Sequence, residues 1–225
     1  MKSDRTDHLD ISSYIHQASL DPHTSIESLN TLCDASKFFN FGGFCTNLIR
    51  IPLARKRLGS KQKIKLIAVI GFPFGSVPNK IKRSEAEWAV EHGADELDLV
   101  PNFLALQEGN FEVFAEELSI ICEVGLVTRV IIDAARLSED KLSLAIEACI
   151  DAGARGIQTG TGFGPKIDTS MVLKLHSLIR GRCSLKAIGG INTISKMVDL
   201  LEAGASEIGT SYGPEIMKEL RTFKE

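Results

Sequence analysis

Hydrophobic and polar positions along the chain repeat one shape three times. Val90-Glu-His-Gly-Ala-Asp-Glu-Leu-Asp-Leu-Val, Ile150-Asp-Ala-Gly-Ala-Arg-Gly-Ile-Gln and Leu201-Glu-Ala-Gly-Ala-Ser-Glu-Ile-Gly each end an amphipathic helix at a glycine. That glycine (Gly93, Gly153, Gly204) is followed by Ala and a short apolar strand. Glycine suits the left-handed position that closes a helix, so each repeat reads as the αβ half of a βα unit. Strand-like apolar runs then fall near 12–15, 42–46, 64–71, 95–100, 128–133, 155–159, 185–189 and 206–210. Helical spacing of apolar residues covers Ser84 to His92 and Phe111 to Val124, a serine cap at Ser138 opens another helix, and Thr193 to Ala203 and Pro214 to Phe223 close the series. Alternation of this kind, unbroken by linkers or low-complexity stretches, predicts an α/β fold, a single (β/α)₈ TIM barrel in one domain over 1–225. A doubly wound open sheet is the alternative, because the first strand is weak.

Composition narrows the partners more than the fold. The chain is 44% hydrophobic and 24% charged, as expected of a globular domain. The formal charge is −3, and the basic residues are spread out, which argues against a nucleic-acid partner. No apolar run approaches membrane-spanning length. The N-terminal Met1-Lys-Ser-Asp-Arg-Thr-Asp is too polar for a signal peptide. Five cysteines without metal spacing (Cys33, Cys45, Cys122, Cys149, Cys183) suggest reduced, mostly buried thiols and a cytoplasmic location.

A barrel of this type places its chemistry at the C-terminal ends of the strands, which selects candidates by position. The richest stretch is Ala154-Arg-Gly-Ile-Gln-Thr-Gly-Thr-Gly-Phe-Gly-Pro165, where Gln158 ends an apolar run and Thr161, Gly162 and Phe163 follow in a glycine-rich loop. If a helix opens at Pro165, that loop is an anion site. Gly189-Gly190-Ile-Asn192-Thr and Gly209-Thr-Ser211-Tyr212-Gly, each ahead of a helix, are two more cradle candidates. Lys186 stands in the apolar strand Ser184-Leu-Lys-Ala-Ile; turned inward it would be desolvated, with a lowered pKa suited to nucleophilic or base work. The alternative is a lysine snorkelling outward between strand and helix. Asp98 in Glu96-Leu-Asp-Leu-Val would pair with an inward lysine as an acid/base couple, or bond a loop amide if outward. Asp133, closing Val130-Ile-Ile-Asp, serves either as a site carboxylate or as a helix cap. His16 fits ligand contact or loop equally, and Cys45 is expected to pack rather than react. No arrangement resembles a zinc site, a serine triad or a dinucleotide fingerprint, so no metal or cofactor is called for.

In Cys45-Thr-Asn, Ile51-Pro-Leu-Ala-Arg-Lys, Val69-Ile-Gly-Phe-Pro-Phe-Gly, Gly93-Ala-Asp-Glu-Leu-Asp-Leu-Val, Val130-Ile-Ile-Asp, Thr159-Gly-Thr-Gly-Phe, Lys186-Ala-Ile-Gly-Gly-Ile-Asn-Thr and Gly204-Ala-Ser-Glu-Ile-Gly-Thr-Ser, the chain resembles the deoxyribose-phosphate aldolases over almost its whole length. The resemblance implies a (β/α)₈ barrel that forms a Schiff base between a lysine and a carbonyl substrate. It implies metal-free cleavage of 2-deoxyribose 5-phosphate to acetaldehyde and glyceraldehyde 3-phosphate, and commonly a homodimer.

The active-site pattern departs from the family. Its Schiff-base lysine falls on Gln158, whose amide nitrogen cannot form an imine, whereas the second lysine matches Lys186 and the proton-relay aspartate matches Asp98. A phosphate-holding lysine falls on Phe163, an arginine on Asn192, a serine pair on Ser211-Tyr212, and the first-strand Asp-His-Thr pattern on His16-Gln-Ala. Loss of two cations from a phosphate cup weakens dianion binding by several kcal/mol, at roughly 1.5–3 kcal/mol per charged hydrogen bond. Lys166 and Lys82 are the candidates to compensate.

Three readings follow. The first is an aldolase-like lyase on a small carbonyl compound, phosphorylated or not, with Lys186 as the amine and little or no activity on 2-deoxyribose 5-phosphate. The second is an imine-independent isomerase or cyclase using Asp98, Lys186 and Gln158, with His16 or Tyr212. The third is a non-catalytic ligand-binding paralogue.

Overall fold

The structure is a computed structural model and describes residues 11–60 and 64–222. The polar stretch Met1–Asp7 and the expected helix end at Phe223 lie outside the described residues. In chain order the elements are β1 (Ile15–Ser19), α1 (Ile26–Phe39), β2 (Gly43–Thr46), α2 (Ile51–Leu58), β3 (Lys65–Ile70), α3 (Asn79–Glu91), β4 (Glu96–Leu99), α4 (Phe103–Gln107) and α5 (Phe111–Cys122). There follow β5 (Val127–Ile131), α6 (Glu139–Asp151), β6 (Gly156–Gln158), α7 (Thr169–Ile179), β7 (Ser184–Ile188), α8 (Ile194–Glu202), β8 (Glu207–Thr210) and α9 (Gly213–Thr222). The strands are parallel, each pairs with the next, and β8 closes on β1. Closure rules out the open sheet. The three repeated glycines have φ of 93°, 90° and 107°, so each ends its helix in a conformation that side chains disfavour. Among the described residues, no helix is long and apolar enough to cross a membrane.

Strand alternation sorts the core into two parts. Leu66, Ala68 and Ile70 of β3 join the apolar layer between barrel and helices, whereas Ile67 and Val69 join Cys45 in a separate cluster inside the barrel. The rest of the barrel interior is strongly polar. Glycines on the strands make room for it: a Cβ at Gly156 would stand 2.7 Å from Arg129 Cγ, and one at Gly209 would stand 3.2 Å from Lys186 Cε.

Three boundaries differ from expectation. The first strand runs from Ile15 to Ser19 behind a 3₁₀ turn at Ile11–Tyr14, so His16 and Gln17 lie within β1 rather than after it. That strand carries buried polar side chains, which hid it from a search for apolar runs. Helix α3 opens at Asn79, before the apolar spacing begins at Ser84. No helix opens at Pro165, because α7 starts at Thr169, where Asp168 Oδ1 accepts the Met171 N–H at 2.9 Å. The loop after β6 therefore lacks the helix N-terminus that would have made it an anion site.

Candidate active site

A cavity of about 370 Å³ opens at the C-terminal ends of the strands. Its floor is built from neighbouring strands. Gln158 on β6 and Lys186 on β7 are paired in register, and both line the cavity. Lys186 is fully buried, and its Nζ donates to Asp98 Oδ2 on β4 at 2.5 Å. The inward orientation is thus realised for both charges, and the snorkelling lysine and the outward carboxylate are excluded.

Beneath this pair sits Arg129 of β5. Its Nη1 donates to Asp98 Oδ1 at 3.3 Å, its Nη2 to Glu96 Oε2 at 2.5 Å, and its Nε to Glu207 Oε2 at 2.5 Å. The barrel interior therefore links two cations to three carboxylates, which is how buried charges are normally accommodated. Burial alone would raise the Asp98 pKa, but Lys186 and Arg129 together outweigh it and hold the carboxyl below its ordinary value. His16 on β1 also lines the cavity. Burial first, then the positive charges of Lys186 and Arg129, hold its imidazole well below the ordinary value, so it is neutral near pH 7. Cys45 packs as expected against Ile67 and Val69, with Sγ 3.7 Å from Asp98 Oδ2, and burial pushes its thiol up to about 12.

Among the described residues, two buried polar atoms on this cavity have no partner, Gln158 Oε1 and His16 Nδ1. Gln158 Nε2 donates to Gly160 O at 2.8 Å, which fixes the amide with its oxygen as the open group. Buried polar atoms left unpaired are costly and mark places where a polar group of a ligand fits.

Upper-wall residues complete the enclosure. Thr161, Gly162 and Phe163 come from the loop after β6, Gly189 and Gly190 from the loop after β7, and Ser211 and Tyr212 from the loop after β8. Two anticipated residues do not line it. Asn192 is exposed in the turn before α8. Asp133 points to a neighbouring cavity, paired with Arg136 at 3.0 Å and making no capping bond, and burial raises its pKa. Nor does Lys82 approach the site: it is buried in an ion pair with Glu117 between α3 and α5. Lys166 is exposed, with its stem over Gly190, and does not line the cavity.

Arg129, Glu96 and Glu207 escaped the sequence reading, although each is a charge within an apolar strand, the signal that singled out Lys186 and Asp98. Arg50 escaped too. It holds the loop after β1 by donating to the carbonyls of Asp21, Pro22 and Thr24 at 2.8–3.1 Å, and Asp21 and Pro22 line the cavity.

A closed (β/α)₈ barrel with a buried lysine–carboxylate pair under a cavity at its C-terminal end has the architecture of a barrel enzyme. Comparison with known proteins narrows the class. The chain is 36% identical over 219 residues to the deoxyribose-phosphate aldolase of Thermococcus gammatolerans, covering 95% of this chain and 97% of the relative. Among solved structures, "QR15, an Aldolase" superposes with a TM-score of 0.91 at 35% identity, over 96% of this chain and 98% of that one. The tetrameric deoxyribose phosphate aldolase of Aeropyrum pernix superposes with a TM-score of 0.86 at 30% identity, over 95% and 92%. No family model matches. The chain belongs to the deoxyribose-phosphate aldolase family.

Proposed function

We propose that this protein is an aldol-type carbon–carbon lyase acting on a small carbonyl compound, with Lys186 as the amine that carries the chemistry. The observation behind this reading is the Lys186–Asp98 pair at 2.5 Å on the floor of the cavity, in a chain of aldolase ancestry. In the minor form in which the Lys186 proton has passed to Asp98, the free amine adds to the carbonyl; Asp98 then returns that proton to the departing hydroxyl, which leaves as water as the iminium forms. Cleavage of the carbon–carbon bond then leaves its electron pair on the enamine and removes the proton of the β-hydroxyl. His16, neutral and with Nδ1 unpartnered, is the acceptor we assign. Protonation of the enamine and addition of water return the free amine. Gln158 forms no imine; its open Oε1 accepts a hydroxyl of the substrate.

Activity on 2-deoxyribose 5-phosphate is expected to be absent or very low, and turnover on the order of 1–1000 per second would contradict that. The lyase reading itself is tested by incubating the protein with acetaldehyde and a panel of acceptor aldehydes. A new carbon–carbon bond seen by NMR, and lost in Lys186→Met, is expected. No product with any acceptor would sink it.

The unpartnered Gln158 Oε1 and His16 Nδ1 favour a second reading, imine-free isomerisation or cyclisation with these groups handling hydroxyl protons. Reductive trapping separates the two, because the second leaves no adduct. The assembly we propose is a homodimer, smaller than the tetramer of the Aeropyrum pernix relative, and sedimentation velocity tests it.

A further inference from the structure

The helices that follow β7 and β8 begin beside the cavity, and their first amides could in principle cradle an anion. Two amides at each of these helix starts are already taken by the protein's own acceptors. Ile194 N–H at the start of α8 donates to Glu219 Oε2 at 2.9 Å, and Lys196 N–H donates to Thr193 Oγ1 at 3.3 Å. At α9, Gly213 N–H donates to Gln17 Oε1 at 3.1 Å and Tyr212 N–H to Thr210 Oγ1 at 3.0 Å. Gln17 is fully buried, and its Nε2 also donates to Ser211 O at 3.1 Å, so it clamps the loop after β8.

Charge points the same way. Among the described residues lining the cavity, Lys186 is the only lysine or arginine, and it is committed to Asp98 at the floor. Asp21 adds a carboxylate on the same wall. The upper wall is instead apolar and aromatic: Phe163 is 67% exposed with Phe72 packed edge-to-face at 5.7 Å, and Tyr212 is 51% exposed. Exposed aromatic rings on a cavity mouth are surfaces that a ligand can cover.

We infer that the compound handled here is an unphosphorylated aldehyde or its adduct, bearing an apolar, aromatic-sized substituent that covers Phe163 and Tyr212. This rests on the lyase reading only in taking the ligand to be a carbonyl compound. Calorimetric titration with 3-phenylpropanal and the unreactive 3-phenylpropan-1-ol, against glyceraldehyde 3-phosphate and inorganic phosphate, tests it without turnover. Both phenyl compounds are expected to bind about tenfold tighter than either phosphate compound, with Phe163→Ala weakening them roughly three- to tenfold. Lys166→Ala is expected to change neither series. Tighter binding of a phosphate compound, whether or not Lys166→Ala abolishes it, overturns the inference, as does failure of both phenyl compounds to bind at millimolar concentration. Because the alcohol cannot form an imine, a protein that binds it but never forms an adduct contradicts the lyase reading and leaves this inference standing.

Discussion

Among the described residues, two lysine–carboxylate pairs lie inside this molecule, Lys186–Asp98 within the barrel and Lys82–Glu117 between two helices of the outer layer. Both are buried from solvent, so burial and pairing do not distinguish them. Their surroundings do. Glu117 spends its second oxygen on the Asn102 N–H at 2.8 Å, and the Lys82 stem lies so close to Gly71 that a Cβ there would stand 3.0 Å from Cε. Lys82 thereby ties α3 and α5 to the loops after β3 and β4, and neither it nor Glu117 lines any of the cavities described above. Lys186 and Asp98 line the large cavity beside two unpartnered polar atoms, with a second cation beneath them. A buried ion pair becomes a candidate for chemistry when a ligand can touch it and the polar groups around it are unfinished; otherwise it is a fastening.

Substitutions sharpen that contrast. Lys186→Met is expected to lower the lyase rate by about a thousandfold or more, equivalent to about 4 kcal/mol of transition-state stabilisation, measured as kcat/KM on the best aldehyde pair. Asp98 retains Arg129, so the variant should remain folded. Lys82→Met strands Glu117 and is expected to cost about 3–5 kcal/mol of stability by urea unfolding, with kcat of the folded protein unchanged. If instead Lys82→Met were catalytically dead and stable, the two pairs would have to exchange roles. Gln158→Leu, which removes the open acceptor while nearly keeping the volume, is expected to raise KM about tenfold with a smaller change in kcat.

The smallest effect concerns pH. The folded His16 pKa lies below the unfolded value of about 6.5, so its contribution is fully present above that pH and is lost as pH falls through the folded value. Asp98 acts in the same direction but only below its unfolded value of about 3.9. Stability lost between about pH 6.5 and pH 4.5 beyond that of a His16→Asn variant therefore reports on His16. Parallel urea midpoints for the two proteins across that window would show that His16 is not held neutral.

Most of the barrel was legible because seven strands are apolar runs bounded by turn residues, and three helices stop at glycines that nothing else would explain. The first strand was not, because its interior and its contact with the β8 loop are made by His16 and Gln17, which carry no apolar signal. Pro165 misled for a related reason: it is a common first residue of helices, but here the helix starts at Thr169, capped by Asp168. At the site, Lys186, Asp98 and Gln158 could be picked out as polar residues ending or interrupting apolar strands. Asp133 and Asn192 satisfied the same positional rule, yet loop paths after β5 and β7 carry them off the cavity. That Arg129 gathers Glu96, Asp98 and Glu207 depends on the register of β5 with its neighbour β4 and on β8 lying across the barrel from it, and spacing along the chain does not contain either.

The central claim is that Lys186 is a working amine and Lys82 a structural one. Borohydride reduction in the presence of acetaldehyde, read by intact-mass and peptide mass spectrometry on the folded protein, tests it directly. One adduct per chain, located on Lys186 and absent from Lys82, is the predicted result. An unmodified Lys186, under conditions where a control aldolase is labelled to completion, would contradict it.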